Sequence, residues 1–559
     1  MFDHQPPGRK PMPDLASTLP TAAVSDWRKV LGADRVYCST EIPQHHRSDT
    51  ASGGHAPAAV LKVERADQIP ALLQVARQHR TPVHPISTGN NWGYGSSLPN
   101  QPAAVVLDLS ELTGIIHFDP ALGVVTVEPG VTQGALAAFL ESGGHDFMVP
   151  VTGAGPTCSV LANALERGYG ITPHVDHFAA VTDIEAVLAD GTVYKSALHE
   201  AGTEELARLF KWGIGPYLNG LFTQSGFGIV TRMTIALARR PACTKICLFN
   251  LADDRLLERA TERIRELLQE LPGILGGVNL MNRHRVLAMT APYPAPSSLD
   301  EDGLMPEDMV NALGKAYQIA PWTGFATLYG TQDVVKAAQR HIRQKLRGTA
   351  TRLLFLSPSN VDWIAKAAGA LPGEIGRRLQ RTANTLRASM QLVRGRPNET
   401  ALPITYWRSR LEQPKSGHNP AHDGCGLFWY APLVPMRPDS VRKFVNFATA
   451  TLRHHKLEPL ITLTSQGDRL FDSTIPLLFD RKDPSASDSA REALETLITS
   501  GRSLGFYPYR LHIQSQEAHG QRQATSAQLA KRLRRALDPD DLLAPGRYDT
   551  APTRTPSDG

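Results

Sequence analysis

A run of glycines and small polar residues stands out at PISTGNNWGYGSSLP, residues 85–99. Gly89, Gly93 and Gly95 alternate there with asparagine, serine and aromatic residues between two prolines. Glycine lets the backbone adopt positive φ and approach a ligand closely, and successive free N–H groups can form a nest for an anion. The loop is therefore a candidate for binding a diphosphate. The alternative is an ordinary surface turn, because the same residue types dominate turns.

The spacing of these glycines differs from that of the two common phosphate-binding motifs. The loop contains neither G-x-G-x-x-G at the start of a helix nor G-x-x-x-x-G-K-[ST]. It resembles instead the pyrophosphate loop, S-x-G-x-N-x-G-Y-G, of the flavoproteins of the vanillyl-alcohol oxidase and p-cresol methylhydroxylase family. The residues that carry the resemblance are Ser87, Gly89, Asn91, Gly93, Tyr94 and Gly95.

Further segments match the same family, in the order that the family has them. They are VEPGVT at 127–132, NALERGYGITP at 163–173, KWGIGPYLNGLFTQ at 211–224, GIVT at 228–231 and LAPGR at 543–547. The chain is identified on this basis as a member of the family. The resemblance implies an α+β fold of two domains, with a FAD-binding domain built from both ends of the chain and a central α+β cap domain that holds the substrate.

The resemblance also assigns residues to the cofactor. FAD is expected to be held, largely through backbone groups, by Ser87, Thr88, Gly89, Asn90, Asn91, Gly93, Gly95, Ser96, Ser159, Gly168, Gly170, Thr172, Gly228, Ile229 and Val230. Arg547 is expected near the N1–C2=O edge of the flavin, where a fixed cation stabilises the anionic reduced ring. The alternative for Arg547 is a cation at the end of a helix.

Three residues are implied to bind the substrate. Family members that oxidise para-substituted phenols place two tyrosines and an arginine around the phenol oxygen, and Tyr94, Tyr509 and Arg510 stand at the matching motifs. Two phenolic donors and a guanidinium stabilise a phenolate. Electron density from the phenolate then lets a hydride leave the para-benzylic carbon for flavin N5, which gives a quinone methide. The expected substrates are 4-alkylphenols or 4-hydroxybenzyl alcohols.

Two other functions stay open from the sequence. One keeps the FAD fold and changes the substrate to a hydroxy acid or another alcohol, as other branches of the wider superfamily do. The Tyr-Tyr-Arg set argues against it, because those branches need groups that bind carboxylates or sugars. The other is a flavin-less subunit or scaffold with the same fold, and the intact glycine-rich loop argues against that.

The chain departs from the family pattern at two places near the substrate. An acidic residue is often found in relatives just before the segment of Ser159, whereas residues 152–158 contain no carboxylate. The residue that activates water or tunes the flavin is therefore missing or comes from elsewhere. A further family tyrosine is replaced by His174, which is a candidate hydrogen-bonding group or base because histidine titrates near neutral pH. The alternative is a structural histidine beside Asp176.

The attachment of FAD is a third departure. Relatives link the flavin covalently through a histidine or a tyrosine of the cap. The tyrosine type precedes Trp-Arg, and Tyr406 offers that tyrosine before Trp407 and Arg408. His418 and His422 lie in an apparent insertion close by. Tyr406 is the candidate for the link, and non-covalent FAD is the alternative.

Composition sets further limits. A chain of 559 residues is too long for one core, and the expected boundaries are an arm at 1–50, a FAD-binding domain at 51–240, a cap at 241–500 and a returning segment at 501–559. The net charge of +5 comes from scattered basic residues, so nucleic acid is not expected as a partner. The five cysteines are widely spaced, which predicts reduced thiols and no metal site.

Location and electron acceptor follow from what the sequence contains. No segment approaches the ~20 apolar residues that a membrane span needs, and the Pro-rich lead at residues 1–19 has no apolar stretch typical of a signal peptide. A cytoplasmic protein is expected, or a periplasmic one if it is exported with a cytochrome subunit. The acceptor is oxygen or a c-type cytochrome subunit, whose haem must come from the partner because the chain has no C-x-x-C-H. The resemblance implies a homodimer or a larger assembly.

Hydrophobic periodicity predicts the elements that position these residues. Helices are predicted at 21–31, 66–79, 133–141, 332–347, 437–455 and 526–537, and strands at 59–63, 104–109, 181–188, 322–329 and 426–432. Residues 249–271 are predicted to be largely helical, and residues 351–420 are predicted to be irregular.

Overall fold

The computed structural model of the protein describes residues 19–369, 373–519 and 524–548. Most of the Pro-rich lead, at residues 1–18, lies outside the described residues. Strands are gathered into three main sheets, and helices lie between them along the chain. Among the described residues, no helix combines the length and the apolar composition that crossing a bilayer requires.

The first sheet has four strands with a parallel centre. Its strands, in spatial order, are Val36–Cys38, Ala59–Lys62, Val105–Asp108 and Val83–Ile86. The helices Thr21–Leu31 and Ile69–Gln78 share one apolar core with this sheet. Trp27 is fully buried in that core and donates a hydrogen bond from Nε1 to the carbonyl of Leu72, at 3.2 Å. The apolar faces of the helices predicted at residues 21–31 and 66–79 therefore pack on this sheet.

The second sheet has five antiparallel strands. In spatial order they are Ile115–Asp119, Val124–Val127, Ile229–Ala236, Val181–Val187 and Val193–Lys195. The helices Gln133–Ser142 and Val160–Leu165 pack on it through buried Leu136 and Leu161. Each of these helices begins after a hydroxyl residue, Thr132 or Ser159, whose side chain accepts a backbone N–H. A pair of two-residue strands, Phe147–Met148 and Ala238–Arg239, lies beside this sheet.

The large sheet has eight antiparallel strands. In spatial order they are Thr351–Leu356, Cys243–Leu251, Trp322–Gly330, Leu275–Asn282, Thr462–Gln466, Leu470–Ser473, Pro432–Pro435 and Tyr507–Pro508. One extended apolar core joins it to the helices Leu257–Glu270, Gln332–Lys345, Pro438–His454 and Pro484–Leu504. The two-stranded ribbon of Gly426–Tyr430 and Ile475–Phe479 packs into the same core.

The other helices are shorter or lie at the edges of these layers. The α-helices are Ala197–Glu200, Glu204–Leu209, Arg283–Thr290, Glu307–Tyr317, Pro358–Gly369, Gly373–Val393, Ile513–His519 and Thr525–Leu537. The 3₁₀ turns are Ala33–Arg35, Ser39–Glu41, Gln44–His46, Ala66–Gln68, Asn219–Phe222, Asp254–Leu256, Pro296–Ser298 and Leu402–Tyr406.

The end of the chain returns to the first sheet. The N–H of Val83 donates to the carbonyl of Leu542 at 2.8 Å, and Val83 forms an isolated parallel bridge with Leu543. The buried carboxylate of Asp538 accepts the N–H groups of Leu542 and Leu543 at 2.9 and 2.8 Å and holds the turn that makes this possible. Both ends of the chain therefore build one part of the molecule.

Two predictions of secondary structure were wrong. The helix predicted from residue 249 begins only at Leu257, because Cys243–Leu251 is a strand whose buried residues largely alternate. Residues 351–420 are not all irregular, because they contain a strand and the helices Pro358–Gly369 and Gly373–Val393. The many arginines of that region obscured the helical spacing of Ala383, Met390 and Val393, which are buried.

The glycine-rich loop is held against the ribbon and the returning segment. Gly93 has φ of +77°, and a Cβ there would lie 2.3 Å from Cδ1 of Trp429. Gly95 has φ of +119°, and its Cβ would lie 2.5 Å from Cδ1 of Ile513. Positive φ and close approach both require glycine at these two positions.

We expect Gly93→Ala to lower the free energy of unfolding by about 2–5 kcal/mol, as the sum of left-handed strain and a side-chain collision. Gly144→Ala is the matched control, because Gly144 has a similar φ of +67° and nothing within 4 Å of a Cβ. It should cost only the backbone strain, about 1 kcal/mol. The midpoints of urea unfolding of the two variants decide this, and equal losses would contradict the role given to Trp429.

Candidate active site

A cavity of about 550 Å³ lies between the glycine-rich loop and the large sheet. Its walls come from the loop at residues 85–92, parts of residues 151–171, and the large sheet, which contributes Asn279, Thr462 and Thr464 among others. Three separate parts of the chain therefore meet around one space, and the size of the space suits a small organic molecule or part of a larger cofactor.

Most of the residues predicted from the sequence lie in this wall. They are Ser87, Thr88, Gly89, Asn90, Asn91, Tyr94, Ser96, Ser159, Gly168, Gly170, Gly228, Ile229, Val230, Tyr509, Arg510 and Arg547. The structure thus brings together residues from four widely separated segments of the sequence.

Five predicted residues lie outside the wall. Gly93 and Gly95 shape the loop from behind, as described above, and the N–H of Gly93 donates to Oγ1 of Thr50 at 2.9 Å. Thr172 is buried just beyond the wall residue Ile171. The two others are His174 and Tyr406.

His174 is partly buried and follows the wall segment by three residues. Burial lowers its pKa, so the imidazole is neutral at neutral pH. The nearby His177 is fully buried and contacts Asn163 through Nδ1, and burial also lowers its pKa, to about 3. Both imidazoles are therefore uncharged at neutral pH.

Tyr406 is 1% exposed and lies next to the wall residue Thr405. Its hydroxyl donates a hydrogen bond to Oδ2 of Asp423, and its ring meets that of His418 edge to face at 5.5 Å. His418 contacts Glu399 at 2.7 Å. The hydroxyl of Tyr406 is thus engaged with a carboxylate.

The loop suits the diphosphate of FAD, the cofactor that the resemblance implies. The backbone N–H groups of residues 88–91 donate to no described residue, although the neighbouring Tyr94 and Ser96 both donate to the carbonyl of Asn91 at 3.0 Å. Unpartnered N–H groups at the wall of a cavity are donors for an anion. Gly168 and Gly170 cannot be larger, because a Cβ would lie 2.0 Å from Oδ1 of Asn163 and 2.3 Å from the carbonyl of Val151.

The phenol-binding candidates lie together at one end of the cavity. The guanidinium carbon of Arg510 lies 4.2 Å from the centre of the Tyr94 ring, and Ile513 donates its N–H to the carbonyl of Tyr94 at 3.1 Å. The ring of Tyr509 meets Tyr169 edge to face at 5.8 Å. Burial raises the pKa of both Tyr94 and Tyr509, so both hydroxyls keep their protons at neutral pH.

Glu166 is a residue that the sequence predictions missed. Its carboxylate lies between two arginines, with Oε2 at 3.1 Å from Nε of Arg510 and Oε1 in contact with the guanidinium of Arg547. It is the acid of the segment NALERGYG, two residues before Gly168. An acid was expected from the family pattern just before the segment of Ser159, where residues 152–158 have none, and this acid stands instead inside the segment at 163–173 that matches the family.

Asp472 is a second missed residue, on the strand Leu470–Ser473. It is 1% exposed, Oδ2 accepts from Oγ1 of Thr474 at 3.3 Å, and Oδ1 has no hydrogen-bond partner. Thr474 in turn shares a hydrogen bond of 2.9 Å with the hydroxyl of Tyr169. Burial raises the pKa of Asp472 to about 8. A neutral carboxyl therefore lies behind the tyrosines at neutral pH, and nothing in the local sequence marks it.

Arg285 is a third missed residue. It lies on the helix Arg283–Thr290 at the end of a strand of the large sheet and lines the cavity. The sequence gives no indication of it, because arginine is common in helices of this chain. Only the fold brings Arg285 to the cavity.

Comparison with known proteins adds independent information. Residues 57–197 match the family model described as FAD binding domain. The chain is 34% identical over 550 residues to 1'-carboxy-chondrochloren decarboxylase of Chondromyces crocatus, covering 96% of this chain and 98% of that protein. It is 26% identical over 535 residues to the 4-cresol dehydrogenase [hydroxylating] flavoprotein subunit of Pseudomonas putida, covering 94% of each.

Similarity in three dimensions points the same way. The crystal structure of p-cresol methylhydroxylase with substrate bound superposes with a TM-score of 0.82 at 25% identity, covering 94% of this chain and 96% of that one. The predicted two-domain α+β fold and the predicted cofactor FAD are thereby confirmed. The chain belongs to the FAD-dependent oxidoreductases of the vanillyl-alcohol oxidase and p-cresol methylhydroxylase family.

Proposed function

We propose that this flavoprotein oxidises the benzylic carbon of para-substituted phenols, of the 4-alkylphenol or 4-hydroxybenzyl alcohol type. The observation that carries the proposal is the assembly of Tyr94, Tyr509 and Arg510 at one end of the cavity. A curated relative and a solved structure, both named for activity on 4-cresol (p-cresol), support it.

The two tyrosines and the arginine have complementary tasks. Tyr94 and Tyr509 donate hydrogen bonds to the oxygen of the bound phenol, which they can do because both remain protonated. Arg510 supplies a fixed positive charge at the same end of the cavity. Together they lower the pKa of the substrate hydroxyl, since each of them favours the charged form. The phenolate then drives loss of hydride from the para-benzylic carbon, and a quinone methide is formed.

FAD, when bound, supplies the two-electron acceptor for this hydride. In the proposal its diphosphate is held by the free N–H groups of residues 88–91 and by Ser87 and Ser96, and its ring system by residues around Ser159, Gly168, Gly170, Thr172 and Val230. Arg547 adds a cation that favours the reduced flavin. Glu166 offsets part of the charge of both arginines.

The remaining predicted residues enter the proposal in lesser roles. Tyr406 is the candidate for a covalent link to FAD, with non-covalent binding as the alternative, and its contact with Asp423 gives the hydroxyl a proton acceptor. His174, being neutral, is a candidate hydrogen-bonding group at the periphery of the site.

Acceptor, assembly and organisation are also part of the proposal. Oxygen or a c-type cytochrome subunit reoxidises the flavin, and the subunit name of one relative favours a protein partner. The active form is proposed to be a homodimer or a larger assembly, in the cytoplasm or, together with a cytochrome, in the periplasm. The proposed boundaries are residue 50 between arm and FAD-binding domain, residue 240 before the cap and residue 500 after it.

The decisive test is anaerobic mixing of the FAD-loaded protein with 4-ethylphenol, which we expect to bleach the flavin absorption. Tyr94→Phe and Tyr509→Phe should each slow this reduction about 100-fold, because each removes one donor to a developing oxyanion. Tyr430→Phe is the control, since it removes a buried hydroxyl bonded to the carbonyl of Leu497 away from the cavity. A flavin that lactate reduces and 4-ethylphenol does not would favour the hydroxy-acid alternative and reject the proposal.

Glu166→Gln should make the midpoint potential of the flavin more positive. The substitution removes the carboxylate between Arg510 and Arg547, so their positive field acts without offset on the anionic reduced flavin. A redox titration against indicator dyes measures the shift. Glu458→Gln, which changes a buried carboxylate outside the cavity wall, is the control and should leave the potential unchanged. A more negative or unchanged potential in Glu166→Gln would contradict this charge balance.

Asp472 predicts a pH dependence of stability. Its folded pKa of about 8 lies above the value of 3.8 that an aspartate ordinarily has, so the folded state holds a proton that the unfolded chain has lost. Stability should therefore fall as pH rises between these values. From pH 6 to pH 9 the wild type should lose about 2–3 kcal/mol more than Asp472→Asn. Urea unfolding at both pH values measures the difference, and parallel pH profiles would disprove the raised pKa.

A further inference from the structure

Arg285 lines the cavity on the side of the large sheet. The strand Leu275–Asn282 leads into its helix, the wall residues Asn279 and Met281 lie on that strand, and Phe325 is a wall residue of the adjacent strand. The glycine-rich loop belongs to the opposite part of the wall. Arg285 is thus a cation in the part of the cavity formed by the cap, among mainly uncharged side chains.

The charge of Arg285 has no partner among the residues that the structure describes. Nε and Nη1 of its guanidinium are buried without a hydrogen bond, and no ion pair joins the guanidinium to any described residue. Its neighbours on the helix each lie beside another polar residue: Arg283 donates from Nη1 to Asn311, although its Nε has no partner, and Nε2 of His284 lies 3.7 Å from Glu458 without a hydrogen bond. A buried cation without a partner is costly. Such a cost is expected where a ligand supplies the missing anion.

The guanidinium is charged under physiological conditions. Burial alone lowers the pKa of Arg285, to about 10, and the described residues contribute no opposing carboxylate. At neutral pH the side chain therefore presents a positive charge and several N–H donors to the cavity. Arginine matches carboxylates through two parallel hydrogen bonds.

We propose that Arg285 binds a carboxylate carried by the para side chain of the phenolic substrate, and that the oxidised substrate loses this carboxylate as carbon dioxide. The inference rests on the proposed function, because it assumes that the phenol end is held by Tyr94, Tyr509 and Arg510. It narrows the substrate class to 4-hydroxyphenyl compounds whose carboxylate is on the carbon next to the benzylic carbon. The name of one relative, a decarboxylase of a carboxy compound, agrees with this class.

The electrons of the proposed reaction balance. The benzylic C–H bond breaks, and its electron pair leaves as hydride to oxidised FAD, so the phenolate becomes a quinone methide. The bond between the adjacent carbon and the carboxylate then breaks, and its electron pair forms a carbon–carbon double bond while the ring regains aromaticity. The products are a 4-hydroxystyrene, carbon dioxide and reduced FAD. Oxygen or a c-type cytochrome reoxidises the flavin.

The cavity wall favours loss of carbon dioxide over addition of water. Addition of water requires a base that removes a proton from it. Residues 152–154 and Cys158 provide no carboxylate, and Glu166, the acid among the described wall residues, is held by two arginines. Loss of carbon dioxide needs no proton transfer at the benzylic carbon. The lack of a carboxylate at residues 152–158 is therefore consistent with loss of carbon dioxide.

Binding tests the carboxylate contact without turnover. Trans-4-hydroxycinnamate has the required skeleton and no sp³ benzylic hydrogen, and its primary amide is a neutral analogue of the same shape. By titration calorimetry the wild type should bind the acid about 10- to 100-fold more tightly than the amide, as expected for a charge-assisted hydrogen bond. Arg285→Met should abolish this preference, and Arg283→Met, on the same helix but outside the wall, should retain it.

The outcomes separate the possible failures. If the wild type binds acid and amide equally, the inference is overturned whether or not Arg285→Met folds. If Arg285→Met weakens FAD binding and leaves the preference for the acid intact, Arg285 holds the cofactor and the inference is also overturned.

Turnover tests the second half of the proposal. The FAD-loaded protein should convert 3-(4-hydroxyphenyl)propanoate to 4-vinylphenol with one equivalent of carbon dioxide. Oxidation of neutral 4-propylphenol without decarboxylation of the acid would overturn the inference and leave the proposed function standing. Failure of both compounds to reduce the flavin would reject the proposed function itself.

Discussion

The site depends on one buried cluster of charges, in which the carboxylate of Glu166 lies between the guanidiniums of Arg510 and Arg547. The three residues come from the first third and the end of the chain, so the cluster joins the segment NALERGYG to the returning C-terminal segment. An ion pair removed from water is stable only when its partners are fixed in good geometry. The glycine-rich loop is bonded to this cluster as well, because Arg510 donates a hydrogen bond to Oδ1 of Asn91.

This cluster leaves a net positive charge beside the cavity, because one carboxylate cannot balance two guanidiniums. In the proposed reaction both the phenolate and the reduced flavin are anionic, and the same fixed charge would stabilise each of them. Asp472 does not oppose this, because burial keeps its carboxyl neutral at neutral pH. The protein thus separates its acids by environment, with Glu166 ionised between cations and Asp472 protonated in an apolar setting.

Candidate site residues that lie in contiguous motifs could be predicted from the sequence. The glycine-rich loop, Tyr94, the pair Tyr509–Arg510 and Arg547 were found because short patterns carry them, and the structure brings all of them to one cavity. Asp472 and Arg285 could not be found in this way. Each is an ordinary polar residue in its own strand or helix, and only the fold brings Arg285 to the cavity wall and Asp472 behind the tyrosines. Residues 249–251 were assigned to the helix that follows them, whereas they are the end of the strand Cys243–Leu251.

In the proposed reaction the two parts of the cavity wall have different tasks. The part built by the glycine-rich loop and the returning C-terminal segment carries the residues proposed to act on the phenol oxygen and on FAD, so a substitution there is expected to alter the chemistry itself. The wall built by the cap carries Arg285, which touches neither Arg510 nor Glu166 among the contacts of the described residues. In the proposal, charge at that position selects the para side chain and leaves activation of the ring intact. No described residue balances this guanidinium, so the cost of its desolvation is offset only when a ligand supplies an anion.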